Sequence, residues 1–148
     1  MDSLNEIKGV NLTPLKKIEH PKGDVFHGMK KSDDGFSGFQ EAYFSTIHQG
    51  VVKPWKKHLE MTLNLIVPIG KIRFVLFDDR EESITKGVFM DISLSIDNYY
   101  RLTIPPNIWV ASKGLGNDIN LLLNIANLEH DPKEMVKTGI NRFNYNWE

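Results

Sequence analysis

A chain of 148 residues is the usual size of one domain, long enough to bury one sizeable core. It carries 18 Lys plus Arg against 19 Asp plus Glu, a formal charge of −1, so nothing global draws it to nucleic acid or to an anionic membrane. Cysteine is absent, which excludes disulfides and thiolate chemistry.

The start, Met1 to Glu6, is polar and has no apolar run of the secretory kind, so a cytoplasmic protein is expected. Apolar runs further on are broken by Asn, Gly, Pro or Lys before the roughly 20 residues a membrane helix needs, and no span is expected. Gly9, Pro14, Pro21 and Gly23 punctuate residues 1–24, leaving an N-terminal arm with one short strand around 10–18. Residues 29–38 are rich in turn formers, with Asp34-Gly35 a natural reversal site. This loop is either plain surface or hangs over a pocket.

From residue 41 the period of two sharpens. Residues 41–48 read as a strand turned by Gln49-Gly50, and the lysine-rich stretch 50–58 connects it to the next. Residues 62–67 and 71–77, joined by Pro68-Ile-Gly70, make the clearest hairpin in the chain. A charged loop follows at 78–83, then strands at 88–94 and 100–104 separated by an Asx-rich turn. The stretch 104–111 connects to a polar loop at 113–118, and 119–125 is the last strong strand. Asp131 and Pro132 have the form of an N-cap and first turn, predicting a short helix that ends before Gly139. The aromatic tail of Phe143, Tyr145 and Trp147 must pack back or stand exposed. Six or more short strands without long helices between them predict an all-β jelly roll or β-sandwich, with an interior pocket and a C-terminal helix.

Several motifs, in chain order, carry a resemblance. They are Glu41-Ala-Tyr-Phe-Ser45, Gly50-Val-Val-Lys-Pro-Trp-Lys-Lys-His58, Asp78-Asp79-Arg80 followed by Gly87, Leu102-Thr-Ile-Pro-Pro106 with Trp109, and Asn120 to Asn124 followed by His130-Asp-Pro132. Together they resemble the dTDP-4-dehydrorhamnose 3,5-epimerase family and its close sugar-epimerase relatives, over residues 25–148. The resemblance implies an RmlC-type cupin jelly roll at 25–130, with the helix and tail at 131–148. It also implies a homodimer, with the N-terminal arm a candidate for strand exchange, and action without metal or cofactor. The implied ligand is a 4-keto-6-deoxyhexose linked to dTDP or UDP, used for surface polysaccharides.

In that family a histidine base is steadied by a late aspartate, and a tyrosine acts as acid on the opposite side of the sugar. Carried over by position, the residue that meets the phosphates falls on Lys53, and the catalytic histidine falls on Lys56, after Trp55. A second histidine falls on Val110, and the supporting aspartate would lie beyond Trp147. Tyr145 does not align securely with the acid. The scaffold carries over and the dyad does not. A cupin metal centre also needs two histidines two apart and a third on a later strand, and here those positions hold Lys56, His58 and Val110, so no metal site is expected.

Moving a proton beside a keto group needs a base, a donor facing the enolate oxygen, and an acid. Lys56, next to Lys57, serves as base or enolate stabiliser if desolvation lowers its pKa, and a Schiff base with the keto group is a further option. His58 is of the right type for acid/base work, since free histidine titrates near neutrality, and it shares a face with Lys56 if the stretch is extended. These two are the candidate catalytic residues. Lys53, Lys57, Arg73 and Arg80 are candidates for a diphosphate clamp. Glu60, Asn64 and Asn120 are candidates for hydrogen bonds to sugar or base, while Trp55, Trp109 and Tyr43 read as packing residues. The leading reading is a nucleotide-sugar epimerase or isomerase. The alternatives are a catalytically inactive cupin that binds a nucleotide sugar or serves as an interaction module, and a structural dimer whose interior is sealed.

Overall fold

The computed structural model describes residues 6–148, so the first five residues of the N-terminal arm lie outside the described part. In chain order the strands are β1 (Asn11–Pro14), β2 (Lys17–Ile18), β3 (Val25–Phe26), β4 (Glu41–Thr46), β5 (Val52–His58) and β6 (Leu63–Ile69). They continue with β7 (Lys71–Phe77), β8 (Phe89–Ser95), β9 (Tyr100–Ile104), β10 (Trp109–Gly114), β11 (Leu121–Ala126) and β12 (Met135–Lys137). Two five-stranded antiparallel sheets face each other as a jelly roll, ordered β1-β9-β6-β11-β4 and β12-β5-β10-β7-β8, with β2 and β3 forming a small separate hairpin. No helix among the described residues is long and apolar enough to cross a membrane.

Period-two patterning places the core. On β8, Met90, Ile92 and Leu94 point inward while Phe89, Asp91 and Ser93 point out. They meet Leu63, Leu65 and Val67 of β6, Ile72, Phe74 and Leu76 of β7, and Leu102 and Ile104 of β9 between the sheets. The other face of the first sheet is covered too, by loop 28–35. Fully buried Arg101 binds that loop, donating to the carbonyls of Gly28 and Asp34, to the Asp33 carboxylate and to Asn64 Oδ1. The turn-rich loop is therefore strapped to the back of the sheet, away from the interior.

Three local expectations change. Residues 62–67 and 71–77 are not a hairpin: β6 pairs with β9 and β11, whereas β7 pairs with β10 and β8 in the opposite sheet. Gly70, at φ +81°, is the corner where the chain crosses between sheets. Alternation cannot distinguish the two arrangements, because either places the same side chains inside.

The stretches 50–58 and 104–111, read as connectors, contain strands β5 and β10, and the loop expected at 113–118 begins inside β10. Lysine density and Pro54 masked β5. A β-bulge between its pairings with Val110 and Ser112 accommodates the proline, which has no N–H to give to the ladder. The helix-start signal at 131–132 is real, with Asp131 Oδ1 accepting from Lys133 N at 2.9 Å, but it yields one 3-10 turn, Pro132–Glu134. The chain then joins the second sheet as β12, because pairing with β5 and burial of the Glu134 side chain reward extension over further helix.

The N-terminal strand β1 pairs with β9 of its own chain, Asn11 opposite Thr103. The aromatic tail packs back: Phe143, Tyr145 and Trp147 cover Trp55, Val75, Trp109 and Ala111 on the outer face of the second sheet.

Candidate functional site

The bulge in β5 decides what the interior contains. Lys56 pairs with Val110 and Lys53 with Ser112, so two residues of β5, Pro54 and Trp55, stand against Ala111 alone. Lys53 and Lys56, three apart, consequently share the inner face with His58, while Trp55 and Lys57 turn outward. These inner residues line a cavity of about 80 Å³ between the sheets. Tyr43 and Ser45 of β4 and Leu122 and Asn124 of β11 form the facing wall, with Leu65, Phe74, Val110 and Ser112 between.

His58 is buried, and its Nδ1 donates to Glu134 Oε1. The second carboxylate oxygen accepts the backbone N–H groups of Glu60 and Met61, each at 3.2 Å. Burial raises the Glu134 pKa, but the bonds from His58 and the two amides outweigh it and hold the carboxyl below its ordinary range. An ionised carboxylate only accepts, so the proton between the groups lies on Nδ1 and Nε2 is the nitrogen left for a ligand.

Lys56 differs from its lysine neighbours. Lys53 Nζ donates to the Thr46 carbonyl at 2.8 Å, and Lys57 Nζ sits 4.8 Å from the Trp109 ring centroid and 3.9 Å from Asp79. Among the described residues Lys56 makes no salt bridge or side-chain hydrogen bond. Burial lowers its pKa first, and the charges of Lys53 and of Lys137, its cross-strand partner on β12, lower it further.

On the facing wall, Asn124 Oδ1 accepts the Asn64 backbone N–H at 3.1 Å, which fixes the amide and turns Nδ2 toward Tyr43 Oη at 3.0 Å. The phenol accepts there, so its own proton is free for a ligand.

The structure thus brings Lys53, Lys56 and His58 to one cavity and leaves the other candidates elsewhere. Arg73 lies on the outer face, bound to Asp91 at 2.7 Å and to the carbonyls of Asn146 and Trp147. Arg80 is held by Asp78, Ser83 and the Lys8 carbonyl. Asn64 points outward to Arg101, Thr103 and Gly35. Asn120 pins the corner beside Gly70, accepting from Lys71 N and Gly116 N. The side chain of Glu60 is exposed.

Glu134, Asn124 and the phenol of Tyr43 are site groups that sequence reasoning missed. The 3-10 start at Asp131 was the local signal for Glu134, yet its partner lies 76 residues away. Among the described residues no group of three or more His, Asp or Glu is placed to hold a metal ion.

No family model matches the chain. The solved structure of a dTDP sugar isomerase from Desulfovibrio desulfuricans matches it with a TM-score of 0.88 at 34% sequence identity, covering 92% of this chain and 87% of that one. The probable low-salt glycan biosynthesis epimerase Agl13 of Haloferax volcanii is 33% identical over 84 residues. That match covers 56% of this chain and 54% of Agl13, about half the relative's length. The spore coat polysaccharide biosynthesis protein SpsL of Bacillus subtilis is 25% identical over 128 residues, 86% of this chain and 85% of that protein. With one third of residues shared over nearly the full length of a solved isomerase, and the same two-sheet architecture, the chain belongs to the RmlC-cupin-like family of dTDP-sugar epimerases and isomerases.

Proposed function

We propose that this chain is an enzyme that removes and returns a proton beside the keto group of a 4-keto-6-deoxyhexose linked to dTDP or UDP, in the making of a surface polysaccharide. The observation that carries this reading is the His58–Glu134 pair beside Lys56 on one wall of the cavity, with the Tyr43 hydroxyl on the other. His58 Nε2 takes the proton, and the Glu134 carboxylate stabilises the imidazolium that forms. Lys56 faces the keto oxygen and stabilises the enolate. Lys53, at the residue that meets the phosphates in the resembling family, faces the diphosphate.

Tyr43 returns a proton from the opposite wall, which inverts the carbon. The proton balance closes without a redox cofactor. The enclosed volume receives the reacting end of the sugar, and the nucleotide lies toward the open mouth. In this reading Lys57, Asn64, Arg73 and Asn120 support the fold around the site, and Glu60 contributes through its backbone N–H to Glu134. A homodimer is part of the proposal, supported by edge strand β4, whose Phe44 is 64% exposed on the outer face.

Proton NMR in deuterated water with dTDP- and UDP-4-keto-6-deoxyhexoses tests it. Exchange at the carbons flanking the keto group, above a protein-free control and lost in His58→Gln, is the expected result. Absent exchange with ligand line-broadening preserved would overturn it in favour of a module that only binds.

A further inference from the structure

Lys56 has an environment that charge stabilisation alone does not require. Its half-buried side chain lines the cavity, where Leu65, Phe74, Val110 and Leu122 supply apolar walls. None of the residues lining that cavity is an aspartate or glutamate. The carboxylate paired with His58, that of Glu134, is already engaged by the imidazole and two backbone amides. Among the described residues an ammonium there has no counter-ion, and burial with Lys53 and Lys137 as neighbours lowers its pKa, which eases loss of its proton. The amine is a nucleophile once it has lost its proton, and the groups that must move protons around it, His58 and Tyr43, line the same cavity.

We propose that Lys56 is an imine-forming residue that condenses with a carbonyl-bearing ligand in this cavity. As a step on the pathway above, it rests on the reading that the ligand is a keto sugar. The Lys56 Nζ lone pair attacks the carbonyl carbon, and the π pair moves to oxygen, which takes a proton while nitrogen loses one. The resulting hydroxyl takes a second proton and leaves as water, and the nitrogen lone pair closes the C=N bond. Amine and ketone give imine and water with no change of oxidation state, and hydrolysis returns both. The protonated imine withdraws electrons from the neighbouring carbon more strongly than a ketone does, so His58 then removes a more acidic proton.

Reductive trapping tests the step. The full-length protein is incubated with sodium cyanoborohydride and either dihydroxyacetone or a dTDP-4-keto-6-deoxyhexose, then mapped by peptide mass spectrometry. The expected result is a gain of the ketone's mass less one oxygen at Lys56, ahead of every other lysine including Lys53, and its loss in Lys56→Arg. Circular dichroism confirms that the variant folds, and the wild-type map does not depend on it. Labelling spread over surface lysines with Lys56 not preferred would overturn the proposal. Deuterium exchange measured on the same samples separates the two readings. Exchange without a Lys56 adduct overturns the imine and leaves proton transfer standing. An adduct with dihydroxyacetone but no exchange on any keto sugar supports the imine and overturns the epimerase or isomerase reading.

Discussion

Lys53 and Lys56, an odd number of residues apart on one strand, project from the same face because β5 bulges at Pro54 and Trp55 between them. Without the bulge, Lys56 would keep its inward direction with Pro54 and His58, and Lys53 would turn out beside Trp55. One extra residue therefore sets two lysines at the cavity, Lys53 tied to a carbonyl and Lys56 with no side-chain partner among the described residues.

That difference separates their variants. Lys56→Met is expected to slow deuterium exchange on a keto sugar by about 10²- to 10⁴-fold, the range of a proton-transfer or nucleophilic group. Lys53→Met is expected to raise the substrate concentration needed while leaving the saturated rate within about tenfold, as loss of uniform binding does. Initial rates across substrate concentration, followed by NMR, distinguish the two.

Tyr43→Phe removes the hydroxyl on the facing wall and, with it, the acceptor for Asn124 Nδ2. Exchange on the His58 side is expected to persist, while formation of the inverted product falls by about 10²-fold or more. Equal loss of exchange and inversion would place Tyr43 on the same side of the reaction as His58.

Asp78 is fully buried, accepting from Arg80, Ser83 and Thr85. Burial raises its pKa, but these hydrogen bonds outweigh it and hold the carboxyl well below the usual range. Its unfolded value is about 3.9, so near that pH the unfolded chain binds more protons than the folded one. The stability it contributes is complete above that value and is lost as pH falls toward the folded one. Asp78→Asn is expected to cost about 3 kcal/mol at neutral pH, by leaving Arg80 without its partner. It should also flatten the acid limb of stability against pH, measured by urea unfolding from pH 6 down to pH 3.

Gly70 turns the chain from one sheet to the other at φ +81°, and an added Cβ would stand 2.3 Å from the Ile119 carbonyl oxygen and 2.5 Å from Asn120 Oδ1. Gly70→Ala is expected to destabilise by more than about 1 kcal/mol, and a thermal melt reads it directly. A hairpin turn open to solvent would tolerate the change better.

Phe143 stacks edge-on to Trp55 at 5.2 Å between centroids and packs 4.6 Å from Phe77. Phe143→Ala is expected to cost about 2 kcal/mol, less than a fully buried phenylalanine loses. The result reads as a lowered Tm and a rise in tryptophan exposure to an aqueous quencher.

Much of the architecture follows from local pattern. Alternating apolar residues at 71–77 and 88–94, with turn formers between segments, establish short strands with one buried face, hence an all-β roll. Lys56 and His58, two apart in an extended stretch, were legible as neighbours on one face for the same reason. Pairing is another matter. The link from β6 to β7 reads identically whether the strands pair or cross between sheets, because burial depends on side-chain direction and not on which backbone supplies the hydrogen bonds. The bulge that adds Lys53 to the cavity arises between two strands more than fifty residues apart in sequence, and Pro54, its local mark, does not say which strand it faces.

By itself the sequence determined the strand-rich fold and, given an extended backbone at 50–58, a shared face for Lys56 and His58, because these depend on period and turn chemistry within a few residues. Only the tertiary structure decided that Glu134 would hold His58, that Asn124 would donate to the Tyr43 phenol at the cavity wall, and that Arg73 would pair with Asp91 on the far side. Each depends on groups brought together from 18 to 81 residues apart. Partners this far apart in sequence meet only when the roll has closed, so they are chosen by the packing of the whole chain.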